Sequence, residues 1–130
     1  MEKNAASFNR VFLVEDIQLI RESLTAALEE VAGAKVVATA ETQVEAIDWL
    51  AAHADGWTLA VIDLFLREGS GLGVVECCQG RRPTQRVVVL TNYATAAVRE
   101  RCLAMGADRV FDKSTELDAF LDFCKDANLP

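Results

Sequence analysis

The sequence predicts an α/β domain in which five parallel strands form a doubly wound sheet with helices on both faces. Short apolar runs rich in β-branched residues alternate with longer segments of helical period along residues 10–126. Strands that are apolar on both faces are typical of parallel sheets, because helices cover both sides. Polar residues that suit ligand chemistry directly follow four of these runs. We therefore expect one domain over residues 10–126, preceded by an N-terminal lead-in of residues 1–9.

The first β/α unit illustrates the pattern. Residues 11–14, with the sequence VFLV, are predicted to form a buried strand. Apolar residues at helical spacing predict a helix after it, with Asp16 able to cap its start and Gly33 following its end. The expected core-facing residues of this helix are Ile17, Ile20, Leu24, Leu28 and Val31.

The middle of the chain predicts two further units. Residues 35–40 are expected to form the second strand, and residues 41–54 the second helix. The expected inward-facing residues of that helix are Val44, Ile47 and Leu50. Residues 58–62 are expected to form the third strand, and residues 72–79 a short helix after a loop that ends in small residues.

The last two units complete the alternation. Residues 86–90 predict the fourth strand, and residues 94–105 predict a helix that ends at Gly106 in a left-handed cap. Residues 108–111 predict the fifth strand, and residues 114–126 the fifth helix. The apolar positions of that last helix are Leu117, Phe120, Leu121 and Cys124.

Composition argues against several classes of function. The chain carries 20 acidic and 13 basic residues, a net charge of −7, and such an acidic domain is a poor direct binder of nucleic acid. No apolar run approaches the roughly 20 residues that a membrane-spanning helix needs. The start of the chain lacks the hydrophobic region of a secretory signal, so we expect a cytoplasmic protein without membrane contact. The four cysteines form no C-x-x-C pair and are expected to be mainly buried and reduced.

The polar residues at the strand ends predict a single site. Five strands of this length suit the order 2-1-3-4-5, and ligands bind such sheets at the carboxyl ends of the strands, where the strand order reverses. Glu15 and Asp16 follow the first strand, and Asp63 follows the third, its expected neighbour. Thr91 and Lys113 follow the fourth and fifth strands, on the other side of Asp63.

These residue types indicate metal-assisted phosphoryl chemistry. Two carboxylates about 4 Å apart repel each other by about 4 kcal/mol at an effective dielectric constant near 20. A divalent cation such as Mg²⁺ removes that penalty; without it, a raised carboxyl pKa or the Lys113 ammonium must do so. Asp63 stands alone among apolar neighbours and is the candidate nucleophile toward phosphorus. Thr91 and Lys113 are expected to take other oxygens of the phosphoryl group.

In their order and spacing these residues resemble the receiver domains of bacterial two-component response regulators, which have a flavodoxin-like fold. The resemblance covers about residues 10–126 and is to single-domain regulators of the chemotaxis type. The matching segments are Val14-Glu15-Asp16, Val61-Ile62-Asp63-Leu64, Gly71, Leu90-Thr91-Asn92, Gly106-Ala107-Asp108 and Asp112-Lys113-Ser114.

The resemblance implies a role for each site residue. Asp63 would be the phosphoacceptor, Lys113 the phosphate-binding lysine and Thr91 the switch hydroxyl. The implied Mg²⁺ ligands are Glu15, Asp16, Asp63 and the backbone carbonyl of Phe65. The phosphoryl donor would be a histidine of a sensor kinase or phosphotransfer protein. The domain would catalyse only its own phosphorylation and dephosphorylation, and it would act by binding a downstream protein, as a monomer or a phosphorylation-dependent dimer.

The chain departs from the usual family pattern at three places. Val110 stands where the family often has a switching aromatic, with Phe111 beside it, and Ser114 replaces the usual proline, where it can cap the fifth helix. Bulky Phe65 and Tyr93 occupy positions near the phosphoryl group, which predicts slow self-dephosphorylation. The expected switch and output residues are Thr91, Tyr93, Val110 and Phe111.

Two alternative functions remain open from the sequence. One is a Mg²⁺-dependent phosphohydrolase with an aspartyl nucleophile, although such enzymes usually carry a second acid where this chain has Phe65. The other is a receiver-like scaffold that is not phosphorylated. No segment after the fifth helix offers a DNA-binding or catalytic module, so a complete chain of this kind would be a stand-alone receiver.

Overall fold

The computed structural model describes residues 10–126, and the side chains of residues 10–125. Within this range five parallel strands form one sheet in the order β2-β1-β3-β4-β5, which confirms the predicted fold class. The strands are β1 (Arg10–Val14), β2 (Lys35–Ala40), β3 (Leu59–Ile62), β4 (Arg86–Thr91) and β5 (Arg109–Asp112). The helices are α1 (Gln18–Glu30), α2 (Gln43–Ala52), α3 (Gly71–Cys77), α4 (Ala96–Met105) and α5 (Leu117–Asp126). The expected lead-in, residues 1–9, lies outside the described residues.

The strands β1, β3 and β4 are buried on both faces of the sheet, which explains why they are apolar at nearly every position. Val11 and Leu13 of β1 point into one core cluster, whereas Phe12 and Val14 point into the other. The first cluster is completed by α1 and α5, mainly through Leu28 and Phe120. The second is completed by α2, α3 and α4. Each fully buried large apolar side chain contributes about 1.5–3 kcal/mol to folding relative to an exposed one.

The register of the strands aligns their carboxyl ends. Val14 of β1 pairs with Ile62 of β3, and the amide of Asp63 donates to the carbonyl of Val14 at 2.9 Å. Thr91 of β4 pairs with Asp112 of β5. The residues that directly follow β1, β3 and β5 therefore emerge at the same edge of the sheet as Thr91, the last residue of β4.

Helix α1 starts differently from the prediction. Its N-cap is Ile17, and no side chain caps it, so the expected capping role of Asp16 is wrong. Instead, Oε2 of Glu15 accepts a hydrogen bond from the amide of Ile17 at 3.1 Å, so the side chain of Glu15, and not that of Asp16, bonds to the start of the helix. Ile17 and Val31, the expected ends of the apolar stripe, are 51% and 52% exposed, and Leu24 and Leu28 supply the fully buried contacts.

Two other helix starts also differ. Val44 of α2, expected to face inward, is 69% exposed, whereas Leu50 is buried as predicted and Ala46 is buried as well. Helix α5 begins at Leu117 and not at Ser114. The hydroxyl of Ser114 donates to Oδ1 of Asn92, so its side chain links two loops rather than capping a helix.

The cysteines are thiols, as expected, and three of the four are buried. These are Cys78, Cys102 and Cys124, whereas Cys77 is exposed. Burial raises the pKa of Cys78 and that of Cys124 to about 12, so both stay protonated at neutral pH. Among residues 10–126 no helix combines the length and apolar character that crossing a bilayer requires.

Candidate functional site

Three carboxyl groups converge at the carboxyl ends of β1 and β3. Glu15 and Asp16 directly follow β1, and Asp63 directly follows β3, the neighbouring strand. One oxygen from each carboxyl group lies within 4.8 Å of the others. Glu15 is fully buried, Asp63 is 7% exposed, and Asp16 is half-buried at the mouth of the cluster. The predicted convergence of these three residues is confirmed.

Lys113 joins the cluster from the far edge of the sheet. Its backbone amide donates to the carbonyl of Thr91 at 2.9 Å, which places the residue just beyond the β4–β5 pair. Its Nζ donates to Oε1 of Glu15 at 2.6 Å and lies 3.2 Å from Oδ2 of Asp63. The ammonium therefore lies between two buried carboxyl groups, and the lysine side chain is only 11% exposed.

The charges in this cluster act on one another. Burial raises the pKa of Asp63 to about 6; Lys113 opposes this shift and the Glu15 carboxylate adds to it. Burial alone would lower the pKa of Lys113, but hydrogen bonds and charges from Glu15 and Asp63 outweigh it, so that pKa is raised. The site therefore combines three carboxyl groups with one ammonium and has capacity for further positive charge.

The donor set fits a hard divalent cation. Carboxylate oxygens are the preferred protein ligands of Mg²⁺, which usually takes one or two of them and keeps several water molecules. All three acids can offer an oxygen to one position, and half-buried Asp16 leaves that position open to solvent. The backbone of Phe65 passes close by, since its amide donates to Oδ1 of Asp63 at 3.3 Å. The metal role of its carbonyl stays a prediction.

Thr91 lies at the end of β4, next to the strand that carries Asp63. The residue is fully buried, and its Oγ1 accepts the amide of Tyr93 at 3.1 Å. Its hydroxyl is therefore linked to the start of the β4–α4 loop in this conformation. Thr91 and Lys113 lie on the same side of Asp63, as their strand order requires.

The aromatic rings of Phe65 and Tyr93, which belong to the loops after β3 and β4, contact each other. Their centroids are 5.0 Å apart and their planes meet at 78°, an edge-to-face arrangement. Phe65 is 55% exposed and Tyr93 61% exposed. Each ring belongs to a residue whose amide is bonded to a site side chain, Asp63 in one case and Thr91 in the other.

The four expected switch and output residues differ in exposure. Val110 is 8% exposed, Phe111 2% and Thr91 0%, so only Tyr93 presents its side chain to solvent in this conformation. Arg99 of α4 connects this region, because its guanidinium donates to the carbonyls of Ala94 and Val110 and to Oε1 of Glu116. A buried aromatic pair, Phe111 with Phe120, packs behind β5.

Sequence reasoning did not identify two residues that shape the site. Arg21 donates to the backbone carbonyl of Glu15 at 2.8 Å and forms an ion pair with Glu41. Gln43 contacts the β3–α3 loop, 27 positions further along the chain. Neither contact follows from periodicity. The Thr42-x-x-Glu45 pattern could have located the start of α2, because Thr42 accepts the amide of Glu45.

A doubly wound parallel sheet with acids, a hydroxyl and a lysine at its strand ends defines a class of α/β domains that bind ligands at the topological switch point. Residues 11–125 match the family model described as "Response regulator receiver domain", and the chain belongs to this family. It is therefore a receiver domain of the kind found in two-component systems.

Individual relatives agree with this assignment. The chain is 46% identical over 57 residues to the photosynthetic apparatus regulatory protein RegA of Rhodobacter capsulatus, across 44% of this chain and 31% of that protein. The chain thus spans about a third of the length of the curated relatives it matches, 31% or 32%.

Solved structures show the same fold. A response regulator from Burkholderia pseudomallei, whose structure holds a phosphorylated aspartic acid, a calcium ion and citrate, is 26% identical, with a TM-score of 0.73 over 87% of this chain and 64% of that one. A chain of the CheX–CheY–BeF₃–Mg²⁺ complex from Borrelia burgdorferi has a TM-score of 0.81 at 17% identity, covering 93% of this chain and 90% of that one.

Proposed function

We propose that the domain is a phosphoacceptor in which Asp63 receives a phosphoryl group, with Mg²⁺ bound beside it. The observation that carries this proposal is the surroundings of Asp63. One of its carboxyl oxygens lies within 4.8 Å of an oxygen of Glu15 and one of Asp16, so the three residues can offer ligands to one cation. Its Oδ2 lies 3.2 Å from the Lys113 ammonium. The phosphorylated aspartic acid in the Burkholderia pseudomallei relative supports the same chemistry.

The phosphoryl donor is a phosphorylated histidine of a sensor kinase or phosphotransfer protein. A carboxylate oxygen of Asp63 forms a bond to phosphorus while the bond between phosphorus and the histidine nitrogen breaks, and the electron pair stays on the imidazole. Bound Mg²⁺ supplies positive charge to the phosphoryl oxygens. The Lys113 ammonium, which already contacts Asp63, moves its hydrogen bonds to the transferred group, and the Thr91 hydroxyl binds another of its oxygens.

The output is a change in a protein-binding surface. When the Thr91 hydroxyl turns to the phosphoryl group, it gives up the hydrogen bond from the Tyr93 amide, and the loop after β4 moves. Arg99 connects that loop, through Ala94, to β5 and to the start of α5. The domain is in equilibrium between the two arrangements of this loop. Phosphorylation can shift that equilibrium only if the phosphoryl group interacts more favourably with one arrangement than with the other. A downstream protein, or a second copy of the domain, reads the face formed by α4, β5 and α5.

A labelling experiment tests the proposal. The full chain is incubated with Mg²⁺ and a small acyl phosphate or phosphoramidate, and added phosphate is located by mass spectrometry. We expect one phosphoryl group, on Asp63, in the wild type and in Asp48→Asn, a control at an exposed aspartate of α2. Asp63→Asn is expected to stay unlabelled.

Three results would contradict the proposal. Labelling of Asp63→Asn at the wild-type level would place the acceptor elsewhere. Release of many phosphates per protein molecule without a stable label would indicate a phosphohydrolase, and a wild type that stays unlabelled would indicate a receiver-like scaffold.

A further inference from the structure

Gln43, the first residue of α2, forms hydrogen bonds to the loop between β3 and α3. The backbone amide of Gln43 donates to the carbonyl of Glu68 at 3.1 Å. Its side-chain Oε1 accepts the amide of Ser70 at 2.8 Å. Gln43 is half-buried at the first position of α2. Both of these hydrogen bonds are to residues of the β3–α3 loop.

Two glycines of this region leave room for the Gln43 side chain. A Cβ atom at Gly73 would lie 2.2 Å from Nε2 of Gln43, and one at Gly69 would lie 2.4 Å from its Cβ. Both distances are far below van der Waals contact. Gly69 also has φ of +83°, a backbone conformation that favours glycine. The loop and the first turn of α3 are thus shaped around this one side chain.

The β3–α3 loop, to which Gln43 is hydrogen-bonded, leads directly to the acidic site. Phe65 and Ser70 face each other as antiparallel bridge partners, and the amide of Gly71 donates to the carbonyl of Leu64 at 2.9 Å. The Gln43 side chain bonds to Ser70 on one side of this bridge. Phe65, on the other side, donates its amide to Oδ1 of Asp63. Two residues, Ser70 and Phe65, therefore lie between Gln43 and the proposed phosphoacceptor.

We propose that Gln43 is a positioning residue that holds the β3–α3 loop in the arrangement in which the Phe65 backbone meets Asp63 and a cation bound there. This inference rests on the proposed function, because it assigns a cation to the acidic cluster. A loop that is already ordered loses little conformational entropy when the cation binds. Without the Gln43 side chain, the loop becomes ordered only when the cation binds, and the entropy lost in that ordering lowers the cation affinity.

The first experiment measures Mg²⁺ binding to the full chain by calorimetry, together with hydrogen exchange of the Ser70 and Phe65 amides. In Gln43→Ala we expect the Mg²⁺ dissociation constant to rise about threefold to tenfold, the range given by the loss of the one hydrogen bond that Oε1 of Gln43 accepts from the Ser70 amide. Both amides are expected to exchange faster. Val44→Ala is the control, because Val44 is the adjacent residue of α2 and is 69% exposed.

A double-mutant cycle separates positioning from general stability. In the wild-type background, Gly73→Ala pushes a methyl group into the Gln43 side chain, so we expect a lower melting temperature and weaker Mg²⁺ binding. In the Gln43→Ala background the same methyl group has room, and alanine is the better helix former. There we expect Gly73→Ala to raise the melting temperature.

The possible outcomes are distinct. If the wild type binds no Mg²⁺ and accepts no phosphoryl group, the proposed function fails. If the wild type binds Mg²⁺ and Gln43→Ala binds it equally well, the positioning role fails alone. Equal effects of Gly73→Ala in both backgrounds would also overturn the positioning role, since they would show that the glycine is not needed to make room for the Gln43 side chain.

Discussion

The ammonium of Lys113 donates a 2.6 Å hydrogen bond to Oε1 of Glu15, a residue 98 positions earlier in the chain. The carboxyl group of Glu15 is 1% exposed and the lysine side chain 11% exposed, so the ion pair lies in the interior. The same ammonium reaches Asp63. A phosphoryl group on Asp63 would therefore compete with Glu15 for this ammonium, and a cation would take over its role toward the acids.

Removing the lysine charge should destabilise the metal-free protein. Lys113→Met leaves a buried carboxylate at Glu15 without its cationic partner, and breaking a buried ion pair costs about 3–5 kcal/mol of unfolding free energy. Urea unfolding at neutral pH measures the loss, with Lys125→Met, an exposed lysine of α5, as the control. We expect Mg²⁺ to restore part of the loss in Lys113→Met. A decrease no larger than that of the control would contradict the buried-pair interpretation.

Mg²⁺ binding should depend on the titration of Asp63. Its pKa of about 6 means that protons compete with the cation below that pH. Affinity should be nearly constant above about pH 7 and should fall by up to about tenfold per pH unit below about pH 6. Calorimetry across pH 5 to 8 measures this profile. In Asp63→Asn the inflection near pH 6 should be absent, and its persistence would assign the titration to another group.

The same pKa predicts a stability effect of opposite sign to that of an ordinary acid. Because the folded-state pKa of Asp63 lies above its usual value of 3.8, the folded protein binds this proton more tightly than the unfolded chain does. The contribution of Asp63 to stability is present below about pH 4 and is lost as the pH rises through about 6. Without metal at pH 7–8, Asp63→Asn should therefore raise the unfolding free energy, by about 3 kcal/mol at most. Denaturant unfolding at pH 4 and pH 8 tests this, and equal effects at both pH values would refute it.

The aromatic pair of Phe65 and Tyr93 should slow phosphate loss. Phe65 and Tyr93 each stand two positions after a site residue, Asp63 and Thr91, and their rings contact each other. We expect these rings to lie on the path by which water approaches a phosphoryl group on Asp63, where neither can position the water as a polar group would. Phe65→Asn should speed self-dephosphorylation by roughly tenfold, a small part of what positioned polar groups contribute to such reactions. Loss of label over time measures the rate. Leu103→Asn, at another exposed apolar residue, should match the wild type, and an unchanged rate in Phe65→Asn would remove the idea.

Arg99 should couple the acidic site to the output face. Its three hydrogen bonds hold the β4–α4 loop, β5 and the start of α5 in the unphosphorylated arrangement. If phosphorylation disrupts these hydrogen bonds, Arg99→Ala lowers the free-energy cost of reaching the phosphorylated conformation. By linkage, the affinity for the phosphoryl analogue beryllofluoride with Mg²⁺ should then rise by about threefold to tenfold. Fluorine NMR titration measures this affinity. Arg101→Ala, at an exposed arginine of α4, is the control, and a reduced affinity in Arg99→Ala would reverse the proposed direction.

The acidic cluster was predictable because it depends on topology alone. Once the strands are parallel and β1 lies beside β3, the residues after Val14 and Ile62 must emerge together. The order of the strands follows from the connection rules, and the apolar runs locate the strands themselves. The Lys113 contact needs only a side chain long enough to reach across β4.

The missed features depend on contacts between loops. Val44 fits an apolar helical stripe in the sequence, yet the start of α2 at Thr42 turns that position to solvent. Gln43 looks like an ordinary polar residue of a helix, and its bond to Ser70 exists only because the β3–α3 loop folds back onto α2. Asp16 suits a cap in its local sequence, but Glu15 accepts the amide of Ile17 instead. Local patterns do not encode which of two neighbouring acids turns inward.

The exposure of Cys77 gives this domain a built-in position for chemical labelling. Cys78, Cys102 and Cys124 are buried, so a thiol-reactive fluorophore or spin label would attach selectively at Cys77 without any engineered cysteine. Helix α3 begins at Gly71, beside the carbonyl of Asp63, and ends six residues later at Cys77, so a probe there would sit about 9 Å along the helix from its start. Such a probe could report motions of α3 in real time while leaving the acidic site itself unmodified.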